Sequence, residues 1–276
     1  MVYQKFIPAL VLQPFVECYF IWDSEKPVSH IVIESPPNGF CSMVFNFGDD
    51  YFIQNKKYEE LRVPKHFIAG QSIYSYKLLM NGIIDMAGIV FKPAGIASLY
   101  DLPVYEYTEE RLPLDNILPQ YILHPAIQRL EKNNANERAS LLEQFVMDQF
   151  EKNKPIPDFI DKAANLIIEK NGMTDITQMM KDVFMSRRNF ERKFFKKVGL
   201  SPKFYARLRR LAHLMNLIAG KKHVDWNEIF SAAEFYDQSH FIKDFIEFTG
   251  RTPQQYLNEN TELATMIPKP EMLAIH

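Results

Sequence analysis

Six cationic side chains, Arg187, Arg188, Arg192, Lys193, Lys196 and Lys197, crowd into one short stretch of this 276-residue chain. A guanidinium is a planar fork that donates two parallel hydrogen bonds, which suits a phosphate or the O6/N7 edge of guanine. A lysine ammonium is a flexible point charge suited to phosphate. Glu191, inside the run, supplies the acceptor that cytosine N4 requires. Residues 181–222 hold 13 basic and 2 acidic side chains, a net of +11. Residues 1–155 hold 14 against 19 and residues 223–260 hold 2 against 7, each a net of −5. A solvated helix face explains scattered charge. A block this dense on a chain of net charge −2 is the footprint of a polyanionic partner.

The elements that must position these groups are readable from spacing. Phe190, Phe194, Gly199, Ser201, Pro202 and Tyr205 recur 51 positions later as Phe241, Phe245, Gly250, Thr252, Pro253 and Tyr256. Each copy is an apolar-spaced helix, a Gly stop and a Ser/Thr-Pro restart. Around the copies the chain reads as all helical. Ile160, Ala163, Ala164, Ile167 and Ile168 mark a helix closed near Gly172, and Ile176, Met179, Met180 and Val183 mark a second. Ser186 N-caps a third that runs to Val198, and a long fourth follows Ser201 and Pro202 to Gly220. Asp225 and Glu228 form a variant capping box for a fifth. A sixth spans about Ser239 to Thr249 and a short one begins at Pro253. A helix, a tight turn and a second helix with polar residues on its first turns is a helix-turn-helix layout, whose second helix enters the major groove of DNA. With Phe190, Phe194 and Val198 facing inward, Arg188, Glu191, Arg192 and Lys196 face outward. In the second copy the outward set is Gln238, Ser239, His240 and Lys243.

The first 110 residues read differently. His30–Ile33, Ser42–Phe47, His66–Gly70 and Gly88–Phe91 are short Val-, Ile- and Phe-rich runs separated by Pro, Gly and Asn, which predicts a small β-sandwich or barrel. Two helices trail it: a weak one through Ile122, Ile127 and Leu130, and an apolar stripe from Leu141 to Phe150 that serves either its own domain or a dimer seam. Lys152 to Pro157, with prolines at 155 and 157, is the expected linker. The fold class is therefore α+β: a β-rich domain over 1–154, an all-α domain of seven helices over 158–260, and a tail over 261–276.

The stretch from Ser186 to Pro202 resembles the first helix-turn-helix of the AraC/XylS transcriptional regulators. Phe235 to Phe241, with Phe245 and Thr249 to Tyr256, resembles their C-terminal signature. The resemblance covers about 158–260 and implies two recognition helices in successive major grooves, with Arg188, Glu191, Arg192, Gln238, Ser239, His240 and Lys243 toward the bases. Together with Ser186, Arg187 and Lys196 these form the candidate DNA-contacting set. The chain departs from the pattern where the family favours Ala and Gly and this sequence has Phe230 and Glu234. Phe184 likewise replaces a small residue. The segments Pro14–Phe20, Pro37–Phe40, Met43–Gly48 and Gly88–Gly95 resemble an uncharacterised domain often joined to such DNA-binding domains, which implies a sensory or dimerising role.

Other chemistries are disfavoured. Cys18 and Cys41, the only cysteines, read as buried small hydrophobes, and His30 and His66 as structural histidines without a metal-ligand pattern. Gly88 to Gly95 lacks a phosphate-loop Lys, and Ser42, Asp49 and His66 form no hydrolase triad. Phe45, Phe47, Phe52, Phe67 and Phe91 form core or line an apolar ligand pocket. The expectation is a cytoplasmic, non-enzymatic regulator of double-stranded DNA with no cofactor, metal or membrane span. A small-molecule effector, RNA polymerase and a second copy of the chain are open as partners. The alternative is a regulator that keeps the fold but works through protein contacts.

Overall fold

The computed structural model describes residues 1–180, 185–219, 221, 224–232, 238–260 and 272–275. The N-terminal half is a sandwich. Its strands are β1 (Val2–Ile7), β2 (Val16–Asp23), β3 (Val28–Ser35), β4 (Cys41–Asn46), β5 (Tyr51–Gln54), β6 (Leu61–Arg62), β7 (His66–Ala69), β8 (Tyr76–Gly82), β9 (Asp85–Phe91) and β10 (Arg111–Pro113). One sheet runs β10-β7-β4-β9-β2-β1, and the other runs β3-β8-β5-β6. At the outer side of β1, β11 (Met272–Ala274) pairs in parallel, Lys5 opposite Met272. The stretch expected as a tail thus returns to cover the open hydrogen-bonding edge of β1.

Alternation along the central strands explains the three layers. In β2 and β4, Tyr19, Ile21, Met43 and Phe45 face one side, while Phe20, Trp22 and Val44 face the other. The first side packs on three helices: α1 (Gly95–Tyr100), which the strand-rich reading missed, α2 (Gln120–Glu131) and α3 (Ala135–Asn153). Asn134 and Glu137 form a capping box that starts α3. The stripe on α3 packs within its own domain: Leu142 and Val146 are fully buried, and Phe145 meets Phe45 edge-on at 6.2 Å. Of the five phenylalanines expected as core or pocket, Phe45 and Phe91 pack under the helices and only Phe67 lines the space between the sheets. Cys18 and Cys41 are free and buried, and burial pushes their thiols up to about 11 and about 12.

Seven helices follow among the described residues: α4 (Phe159–Glu169), α5 (Ile176–Met179), α6 (Arg187–Val198), α7 (Pro202–Ile218), α8 (Trp226–Ala232), α9 (Gln238–Thr249) and α10 (Pro253–Asn260). The end expected for the second of these, near Val183, lies outside the described residues, as does Gly220. No helix of the described residues is long and apolar enough to cross a membrane. The residues before α4 are exposed, Ile156 at 86%.

The two halves meet along polar contacts on either side of that link. Asp161 of α4, 2% exposed, accepts from Ser98 Oγ at 2.6 Å and Lys197 Nζ at 2.8 Å. Burial raises its carboxyl above the usual range against the pull of Lys197. The β3–β4 loop is a second strip. Tyr205 Oη donates to Gly39 O at 3.0 Å, and Arg209 donates to Asn38 O and lies 4.7 Å over the Phe40 ring. Gly39 has φ +79, and a Cβ there would meet Arg209 Cδ at 2.6 Å, so both its backbone and the closeness of α7 require glycine. Arg251, just past α9, pairs with Glu34, and Ser75 N donates to Phe248 O at 2.9 Å.

Candidate nucleic-acid interface

In the first unit Asp175 caps α5, its carboxylate accepting from Thr177 N and Gln178 N. Ser186 caps α6 through Asn189 N, and Gly199 closes it in the left-handed region at φ +87. These local signals fix the rotation of α6 once Phe190, Phe194 and Val198 are buried against Phe159 and Tyr205. The outward face then carries Arg187, Arg188, Arg192, Lys193 and Lys196, all exposed. Arg187 pairs with Glu191 at 2.9 Å, and Arg192 donates to Asn189 Oδ1 at 3.0 Å. Among the described residues Arg188, Lys193 and Lys196 have no hydrogen-bond or ion-pair partner. Two arginines at the N-terminal, positive end of a helix oppose its macrodipole, which disfavours the free protein and favours a bound anion.

The C-terminal end of α6 differs. Lys197, expected beside Lys196 as a phosphate contact, is held by Asp158 at 2.9 Å and Asp161 at 2.8 Å. Phe195 lies against Tyr105 at 5.8 Å, and Thr108 Oγ1 donates to Gly199 O at 3.3 Å. Helical rotation separates the neighbours: Lys196 points to solvent and Lys197 to the N-terminal domain.

The second unit places Ser239, His240 and Lys243 on an exposed face of α9, with Phe241, Phe245 and Phe248 buried beneath. Gln238 begins α9, but its side chain lies outside the described residues, as do Glu234 and Phe184. Phe230, where the family pattern favours a small residue, is accommodated by an aromatic cluster. Its ring lies 4.8 Å from Phe241 and 6.0 Å from Trp226. Basic groups near this unit are neutralised within the protein. Arg207 of α7 donates to Asp244 at 2.6 Å and to Glu247 at 2.5 Å, and Arg251 pairs with Glu34 and Glu259. Sequence reading did not identify Arg207, Arg209 and Arg251 as internal ties, because Asp244, Asn38 and Glu34 lie 37 to 217 positions from them.

The 17-residue α7 is about 25 Å long. Its first turns touch both units, Tyr205 meeting Phe194 of α6 at 6.0 Å and Phe204 meeting Phe248 of α9 at 5.4 Å.

Comparison with known proteins gives two domain matches. Residues 4–113 match a domain of unknown function, DUF6597, and residues 179–259 match a helix-turn-helix domain family. No curated protein sequence matches the chain. Among solved structures, the chain is similar to ToxT from Vibrio cholerae at 13% identity and a TM-score of 0.46, over 86% of this chain and 98% of that one. A second ToxT structure, from Vibrio cholerae O395, is similar at 13% identity and a TM-score of 0.45, over 86% and 96%. The two domain matches, laid on the paired helical units, give this chain an N-terminal DUF6597 domain joined to a C-terminal helix-turn-helix domain of the AraC type.

Proposed function

We propose that this protein binds double-stranded DNA in a sequence-specific manner, reads it mainly through α6, and is controlled through its N-terminal domain. The observation that carries the reading is the outward face of α6. Arg188, Lys193 and Lys196 stand there without a partner among the described residues, while the opposite face is locked into the core. Arg188, Glu191 and Arg192 are the base-reading residues, and Ser186, Arg187 and Lys196 flank them toward phosphate. Gln238, Ser239, His240 and Lys243 make the contacts of the second unit. Control runs through the junction: α6 leans on Tyr105 and Thr108, and the loop after α9 is tied to Glu34. Any shift of the N-terminal domain relative to these ties changes how the two recognition helices are presented. Pairing of two copies and contact with RNA polymerase belong to the same reading, and sedimentation with and without DNA reports the first.

The test is a mobility shift on the DNA upstream of the protein's own gene over a range of salt. Tight, sequence-dependent binding that weakens linearly in log salt is expected. Weak binding indifferent to sequence would instead favour a regulator that acts through protein contacts.

A further inference from the structure

A cavity of about 310 Å3 lies between the two sheets of the N-terminal domain, at the small end of the range typical of ligand sites. Its walls divide into two chemistries. Along the register of the larger sheet, Phe67, Val44 and Phe20 form one inward rank, faced by Ile33, Ile53 and Leu78 from the other sheet. Those walls are apolar. The neighbouring rank is Arg111, Ala69 and Ser42, and Ser35 opposes it from the other sheet beside Tyr76. This end is polar.

Arg111 is 8% exposed, and its hydrogen bonds go to neutral oxygens: Ser72 Oγ at 3.0 Å and Glu110 O at 3.4 Å. Its guanidinium also lies 4.9 Å over the Tyr76 ring. No carboxylate pairs with it among the described residues. The hydroxyls of Ser35 and Ser42 likewise have no partner among the described residues. Glu34 is the one carboxylate lining the cavity among the described residues, and it is already paired with Arg251. A buried guanidinium only donates and carries a full charge, so the free protein leaves an uncompensated cation at one end of an apolar chamber.

We propose that this cavity binds a small molecule with an apolar body and a terminal carboxylate, the carboxylate seated on Arg111 with Ser42 and Ser35 donating to it. The assignment rests on the reading of the N-terminal domain as the controlling domain, and it names the class of molecule that domain takes. Phe40, Asn38 and Glu34 line the same cavity and hold Arg209 and Arg251 of the DNA-binding half. Occupancy at the polar end therefore acts directly on the docking strip.

The experiment uses the full chain carrying Trp226→Phe, so that Trp22, in the cavity wall, is the only tryptophan. Phenylacetate, 4-phenylbutyrate and octanoate are titrated, each against its primary amide, with Trp22 fluorescence and melting temperature as readouts. At least one acid is expected to perturb Trp22 and raise the melting temperature in proportion to its occupancy, while its amide does neither. Arg111→Gln is expected to weaken that acid about tenfold or more without affecting the amide, and Arg111→Lys to restore part of the loss. If Arg111→Gln fails to fold, Ser42→Ala and the acid–amide comparison in the unchanged cavity carry the test. The proposal is overturned if amides bind as well as acids, if a folded Arg111→Gln protein keeps the preference, or if no acid binds at millimolar concentration. DNA affinity is measured separately with and without the acid. An acid that binds but leaves DNA affinity unmoved upholds the site and removes the control reading.

Discussion

The two helix-turn-helix units share a sequence pattern and a packing scheme, yet they treat charge in opposite ways. In both, aromatic residues spaced four apart are buried and a Gly closes the recognition helix. On α6 the cations of the outward face point to solvent, and of them only Arg187 has a carboxylate partner among the described residues, Glu191 one turn on. Around α9, Arg207 and Arg251 are each held by two carboxylates. A buried phenylalanine row establishes that a helix is presented, but the charge partners establish what it can be presented to. The first unit presents a cationic face to solvent. The second is held, against α7 through Arg207 and against the N-terminal sandwich through Arg251.

The largest expected effect tests the boundary between presented and held charge on α6 itself. Lys197→Met removes the cation from Asp161, a carboxylate 2% exposed. Removing one partner of a buried pair costs roughly 3 kcal/mol, toward the lower end because burial already raises the Asp161 carboxyl above its usual range. Urea unfolding at pH 7 checks this, and the salt slope of DNA binding should be unchanged for the folded fraction. A flattened slope with unchanged stability would make Lys197 a phosphate contact. Next in size, Arg188→Ala or Arg192→Ala should weaken specific binding by about 1–3 kcal/mol and relax selectivity at one base pair. His240→Ala and Lys243→Ala should cost clearly less on the same operator. Equal losses in the two units would break the comparison.

A smaller effect is expected from Lys196→Ala. It should weaken binding to all sequences alike and flatten the salt slope by roughly 0.9. The smallest concerns α7, which both units share. Burial, then Arg209, holds His213 below the ordinary imidazole value of 6.5. Its neutral form is the one that suits the fold, so this contribution to stability is full above about 6.5 and declines as pH falls through the depressed value. Melting temperature should therefore fall on acidification toward pH 5.5, and His213→Gln should flatten that part of the profile. An unchanged profile would remove His213 from the pH response of the shared helix.

Much of the architecture was legible because its causes are local. Ser186, Gly199, Ser201 and Pro202 bracket α6 and α7 through caps that act within four residues. The apolar run Ser42–Phe47 announced β4 with no partner strand in view. Less was legible where a segment's role depends on a distant neighbour. The 261–276 stretch read as a tail because three strand residues are too few to announce themselves, and the open edge of β1 is what makes Met272–Ala274 a strand. Phe230 read only as a departure from the family pattern, because Phe241, which receives it together with Trp226 at the start of the same helix, lies on another helix.

The sequence by itself determined that there are two helical units, where each recognition helix begins and ends, and which of its faces is apolar, since period and capping are properties of a few consecutive residues. Only the tertiary structure decided which charges remain available. Lys196 and Lys197 are adjacent and chemically identical, yet one faces solvent and the other faces Asp161. Arg251 meets Glu34 across 217 positions, and Arg111 is buried in a cavity with no carboxylate beside it among the described residues. Charge pairing depends on three-dimensional distance, and distances across the chain exist only once the two halves have docked.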